Sequence, residues 1–139
     1  MEHNLSFADL STLLDPEGYE QCGFLMGQAG RIECIWPTPS LRPSSTSYRI
    51  GREAWDRARE RAAREGLSLL GSIHTHPDGP PGPSERDLWL SARLGNGGVR
   101  AVWHPRSGTL TIYDASGILR QDVIARPWWF RLIAPLFYA

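Results

Sequence analysis

Residues 71–88 read GSIHTHPDGPPGPSERDL, and this stretch limits what the chain can fold into more than any other. It begins in the apolar run LSLLGSI at residues 67–73, which has strand length and predicts a central, buried strand. His74 and His76 close that run, a loop holding four prolines follows, and Ser84 opens a helix expected over residues 84–94. The prolines fix φ and narrow the unfolded ensemble, so a short loop can hold a residue beyond it at a defined place.

If the strand continues through the histidines, positions i and i+2 face the same way and both rings converge. Such a pair could chelate one cation, or be two ordinary turn histidines. Asp87 lies eleven positions past His76, across the proline loop. Two histidines and a carboxylate are a common catalytic zinc set with the fourth position left to water. Cations that prefer all-oxygen sites fit this set poorly. Ser84-x-x-Asp87 also has the spacing of a helix capping box, a role expected to compete with ligation for the one carboxylate. A metal-activated water needs a base that is not itself a ligand. Context proposes Glu20, at the start of EQCGFLMG, although a solvent-exposed glutamate at a strand end is the plain alternative.

The remaining periodicity predicts a helix over residues 5–14, two strands within 20–36 around a turn at 27–30, a short strand at 48–50 and a helix over 52–65. Ala54, Trp55, Ala58 and Ala62 form that helix's apolar stripe, and its arginines a solvated face. Residues 99–104 and 109–113 read as a hairpin, with a further strand over 118–125. The expected class is α/β, a layered domain with a curved mixed β-sheet flanked by helices.

With 139 residues, a single domain over 1–139 is expected, with a core over about 5–123 and an aromatic C-terminal segment over 126–139. The formal net charge is zero, so no global pull toward nucleic acid is indicated. All 15 basic residues are arginine, which leaves no lysine amine for Schiff-base chemistry. The N-terminus has no apolar signal core, and no run approaches the roughly 20 apolar residues of a membrane span. Two cysteines, Cys22 and Cys34, exclude a disulfide scaffold and suggest a reducing, cytoplasmic setting. Cys22 reads as a buried thiol or a redox-sensitive neighbour of the centre, His104 as a strand-end histidine, and His3 as part of a mobile tail.

HTHPDGPPGPSERD matches His-x-His-Pro-x5-Pro-Ser-x-x-Asp, the signature of the JAMM (MPN+) metalloproteases, and EQCGFLMG resembles that family's Glu-x-Cys-Gly-x-Leu-x-Gly segment. The resemblance implies an MPN fold, cytidine-deaminase-like in its layering. It implies zinc held by His74, His76 and Asp87, Glu20 as general acid/base, and Ser84 as a donor to the oxyanion. It also implies hydrolysis of peptide or isopeptide bonds after the C-terminal glycines of a ubiquitin-like protein. The compact chain looks like bacterial members associated with sulfur-carrier proteins. A non-catalytic MPN scaffold is the alternative. A metallo-β-lactamase reading fails because Gly79 stands where a second-metal histidine belongs. Trp128, Trp129, Phe130, Leu132, Ile133, Leu136, Phe137 and Tyr138 crowd the C-terminus. They are expected to dock on the protein's own sheet; a homodimer surface and membrane-surface attachment are the other readings.

Overall fold

The structure, a computed structural model, describes residues 1–94, 98–130 and 132–133. In chain order the elements are β1 (Glu2–His3), α1 (Phe7–Leu10), β2 (Cys22–Gln28), β3 (Arg31–Thr38), α2 (Arg52–Arg64), β4 (Ser68–Thr75), α3 (Glu85–Leu94), β5 (Val99–His104), β6 (Thr109–Asp114) and β7 (Gly117–Val123). A 3₁₀ turn, Ser11–Leu13, extends α1. The strands form one seven-stranded sheet in the order β1-β3-β2-β4-β5-β6-β7. The α/β class with a mixed sheet agrees with the expectation.

Strand β4 is central, antiparallel to β2 and parallel to β5. The chain between β4 and β5 carries the proline loop and α3, so that loop leaves from the C-terminal end of a parallel pair. In open α/β sheets this is where ligands bind. One face of the sheet packs Leu25, Ile73, Ala101, Trp103, Leu110 and Ile112 against α1. The other packs Phe24 and Met26 under Ala58 and Ala62 of α2, on the stripe read from sequence. Helix α2 ends before Gly66, whose φ of +70° supplies the left-handed stop. Among the described residues, no helix is long and apolar enough to cross a membrane.

Several expectations need correction. The first helix spans Phe7–Leu10, not 5–14, because the Ser6 side chain caps it in a reciprocal pair with Asp9. Residues 48–50 form no strand. The β2–β3 register pairs Cys22 with Thr38 and Met26 with Cys34, so the two cysteines are not cross-strand partners. Both thiols are free. His3 is not in a loose tail. It belongs to β1 and lies 2.8 Å from Asp122 Oδ2 on β7, while Glu2 pairs with Arg120 at 3.4 Å. The sheet therefore curls until side chains bridge its two edges. In the C-terminal segment Phe130 is buried and packs edge-on against Phe7, while Trp128 and Leu132 remain exposed. The core thus extends past residue 123. Leu136, Phe137 and Tyr138 lie outside the described residues.

Two positions test this packing. A Cβ on Gly71 would collide with the Val99 carbonyl oxygen, because β4 and β5 close together there. Gly71→Ala should cost about 2 kcal/mol or more, read from the urea midpoint. Burial pushes the Asp122 carboxyl up, but hydrogen bonds from His3 and Arg120 outweigh it and lower the pKa. Such a group contributes stability that is full above its unfolded pKa of about 3.9 and is lost as pH falls through the folded value. Asp122→Asn should unfold at lower urea than wild type at pH 7, with the difference closing as pH falls from the unfolded value of about 3.9 through the lower folded one. A difference independent of pH would exclude this linkage.

Candidate metal centre

His74 lies near the end of β4 and His76 just past it. Their Nε2 atoms stand 3.1 Å apart, as the i, i+2 spacing predicts. Asp87, in the first turn of α3, brings Oδ2 to 3.3 Å from His74 Nε2 and 3.1 Å from His76 Nε2. A tetrahedral ion with bonds of about 2.0–2.1 Å has donors about 3.3 Å apart. The three side chains already have this spacing, so they fit such an ion.

Two carboxylates bid for the third place, because Glu20, His74 and His76 also offer donor atoms within 4.8 Å of one another. The spacing favours Asp87. It stands at tetrahedral distance from both imidazoles, whereas Glu20 Oε1 is 3.7 Å from His76 Nε2. Glu20 is only 5% exposed, which removes the reading of a solvated strand-end glutamate. It precedes β2 in an irregular stretch. Its N–H donates to the Ser44 carbonyl at 2.7 Å, and the next residue pairs with Thr75 through Gln21 N–H to Oγ1 at 2.8 Å and Thr75 N–H to the Gln21 carbonyl at 2.9 Å.

The proline loop is anchored from β5. His104 Nε2 bonds the Gly79 carbonyl at 2.9 Å, and Nδ1 bonds Ser107 Oγ at 2.6 Å. The His76 N–H donates to the Trp103 carbonyl at 2.9 Å. His104 is therefore a buried anchor and not a further ligand.

At the start of α3, Ser84 and Asp87 form the reciprocal pair read from sequence. The Asp87 N–H donates to Ser84 Oγ at 3.0 Å, and the Ser84 N–H to Asp87 Oδ2 at 2.9 Å. Capping does not turn the carboxylate away from the histidines, because the one oxygen that accepts from the cap also faces both of them. Ser84 is exposed and lines a cleft of about 410 Å³ with Glu20, His76 and Asp87.

The electrostatics separate the two carboxyls. Burial pushes Glu20 up to about 7, with His76 opposing. Burial also pushes Asp87 up, but hydrogen bonds from His74 and His76 outweigh it and hold the carboxyl far below the usual range. Burial lowers His74. It acts the same way on His76, where the bond to Asp87 wins and raises the ring's pKa. Burial and the Glu20 charge push the Cys22 thiol up to about 11, and Sγ bonds the Thr38 carbonyl. Burial and the raised pKa favour the reading of Cys22 as a buried thiol.

Sequence reasoning missed Tyr48. Its ring stacks on His74, centroids 4.4 Å apart and planes at 22°. The only signal for it was a lone aromatic in a Pro, Ser and Thr-rich segment.

The chain matches the model for prokaryotic homologs of the JAB domain over residues 11–129. It is 41% identical over 86 residues to a probable TtuB-protein conjugate cleaving protease of Thermus thermophilus, covering 55% of this chain and 58% of that protein. It is 31% identical over 91 residues to a desampylase of Pyrococcus furiosus, covering 56% and 65%. The matches thus span less than two thirds of these relatives. A solved Desulfitobacterium hafniense protein superposes with a TM-score of 0.66 at 19% identity, covering 90% of this chain and 92% of that one. A JAB1/MPN domain protein of Archaeoglobus fulgidus superposes with a TM-score of 0.55 at 18% identity, covering 89% and 97%. These two likenesses establish the fold.

The donor triangle makes a prediction that needs no substrate. One equivalent of Co²⁺ should bind and give the intense visible absorption of a four-coordinate ion. His76→Ala should weaken uptake by about a hundredfold or more. Octahedral-type spectra, or unchanged uptake in the variant, would locate the metal elsewhere.

Proposed function

The chain belongs to the family of prokaryotic homologs of the JAB domain, and from that premise we propose that it is a zinc-dependent peptidase or isopeptidase. Its substrate is the bond after the C-terminal glycines of a ubiquitin-like protein, of the sulfur-carrier type. The observation that carries the reading is a protonatable carboxyl, Glu20, at 3.7 Å from a two-histidine, one-aspartate donor triangle. The relatives' names add support, since both describe removal of a modifier from a conjugate.

His74, His76 and Asp87 hold the zinc. When bound, zinc acidifies a water and polarises the scissile carbonyl. Glu20 Oε1 takes the proton as the water oxygen adds to the carbonyl carbon. The same carboxyl returns that proton to the amine as the C–N bond breaks, and the new carboxylic acid gives its remaining proton to the released amine, which leaves a carboxylate and an ammonium group. A pKa near neutrality suits a group that must both accept and donate. Ser84 Oγ is already an acceptor for the Asp87 N–H, so its own hydrogen is available to the carbonyl oxygen as negative charge develops there. A Gly-Gly tail suits the site because residues without side chains can enter where bulkier tails clash. Two free cysteines accord with a reducing, cytoplasmic setting.

A ubiquitin-like protein joined through Gly-Gly to a reporter should be cut after the second glycine. Chelation should stop the reaction and zinc restore it. Glu20→Gln should retain the metal and lose about two to four orders of magnitude in kcat. Cleavage that survives both chelation and Glu20→Gln would sink the reading.

A further inference from the structure

A second cavity, of about 290 Å³, opens beside the centre on the face of the sheet that carries α2 and α3. Its floor is a cross-strand row. Ser72 of β4 pairs with Arg100 of β5, and Arg100 pairs with Tyr113 of β6, so the three side chains share one face. Tyr48 and Trp55 wall it, and Arg49 lies at its edge.

The polar groups here lack partners. Ser72 is 2% exposed and Tyr113 is 1% exposed, yet neither hydroxyl makes a hydrogen bond among the described residues. Among the same residues the Tyr48 hydroxyl makes none either, and Arg100 forms no ion pair. Ser72 and Tyr113 are buried but their oxygens are open to the cavity, since among the described residues only Trp103 Nε1 is sealed in without a partner, and a half-buried guanidinium usually has a carboxylate. Three hydroxyls and a guanidinium turned to one cavity are a donor set without an acceptor. The carboxylate that lines the cavity, Asp87, is already committed: its Oδ2 faces the two histidines and accepts from Ser84. Two arginines against one engaged aspartate leave the cavity positive.

We propose that this cavity is a binding site for a small oxyanion, a carboxylate or a phosphate, held by Arg100 with the hydroxyls of Ser72, Tyr113 and Tyr48. The guanidinium presents the planar fork that pairs two oxygens at once. Ser72 stands two residues before His74 on one strand, about 6.6 Å away along it. The cavity also shares Tyr48, Asp87 and Leu90 with the cleft that holds Glu20. An anion here is therefore within reach of a group one or two residues beyond a bond lying at the centre. Its two sources are the free carboxylate of a short peptide in the cleft and a free inorganic oxyanion.

Calorimetry of the full, metal-loaded chain with inorganic phosphate tests this without reference to any cleavage. Saturable binding is expected, weaker by about tenfold or more in Arg100→Gln and measurably weaker in Tyr113→Phe, with metal content unchanged. Tyr113→Phe deletes one oxygen and keeps the ring, so it decides the matter should Arg100→Gln fail to fold. Displacement of phosphate by a Gly-Gly-Ala peptide with a free carboxylate, but not by its amide, assigns the site to a peptide terminus. Displacement by neither assigns it to the free oxyanion. No saturable binding, or equal affinity in the variants, overturns the proposal.

Discussion

The Nε2 atoms of His74 and His76 face one another at 3.1 Å, with Asp87 Oδ2 at 3.3 and 3.1 Å from them. Two imidazole lone pairs at that distance repel unless something positive lies between. A proton shared with Asp87 supplies it, and that bond raises His76 against the pull of burial. A divalent ion satisfies all three atoms at once. Much of the surrounding fold serves to hold that crowded arrangement. Strands β4 and β5 close at Gly71, His76 is tied to Trp103, and the loop to Asp87 is fastened to His104.

Two carboxyls lie beside this centre, and their surroundings drive them apart. Asp87 receives the Ser84 N–H and both imidazoles, and stays ionised. Glu20 is buried, its only ion-pair contact among the described residues being His76 at 3.7 Å, and burial raises it to about 7. A permanently charged carboxylate makes a donor to a cation. One that titrates near neutrality makes a proton carrier. Geometry and charge thus set the two carboxyls apart, one ionised against both imidazoles and the other protonatable at 3.7 Å from His76.

The features that could be read from sequence are those encoded locally. His74 and His76 share a face because strands have a period of two, and the proline loop is short enough for Asp87 to return. The apolar stripe of α2 and the 99–113 hairpin follow from periodicity in the same way. What escaped depends on pairing between distant segments. The bond from His3 to Asp122 joins residues 119 apart. Arg100 meets Ser72 and Tyr113 only through the β4-β5-β6 register. Tyr48 reaches His74 from an irregular loop. The first helix is shorter than its periodicity suggests, because Leu13 and Leu14 keep helical spacing after the chain has tightened into a 3₁₀ turn. No period in the sequence announces any of these.

The start of α3 shows how the centre and the helix depend on each other. Four N–H groups at a helix N-terminus need acceptors and favour negative charge. Asp87 supplies that charge from within the first turn, and the same oxygen points at the histidines. A cation held there would otherwise face the positive end of a helix, and the carboxylate stands between the two. The arrangement also sets the polarity of Ser84. Its oxygen accepts the Asp87 N–H, which leaves the hydroxyl hydrogen uncommitted by the cap. A capping pair thus sits at the cleft, with its carboxylate toward both histidines and its hydroxyl in the cleft's lining, from residues three positions apart.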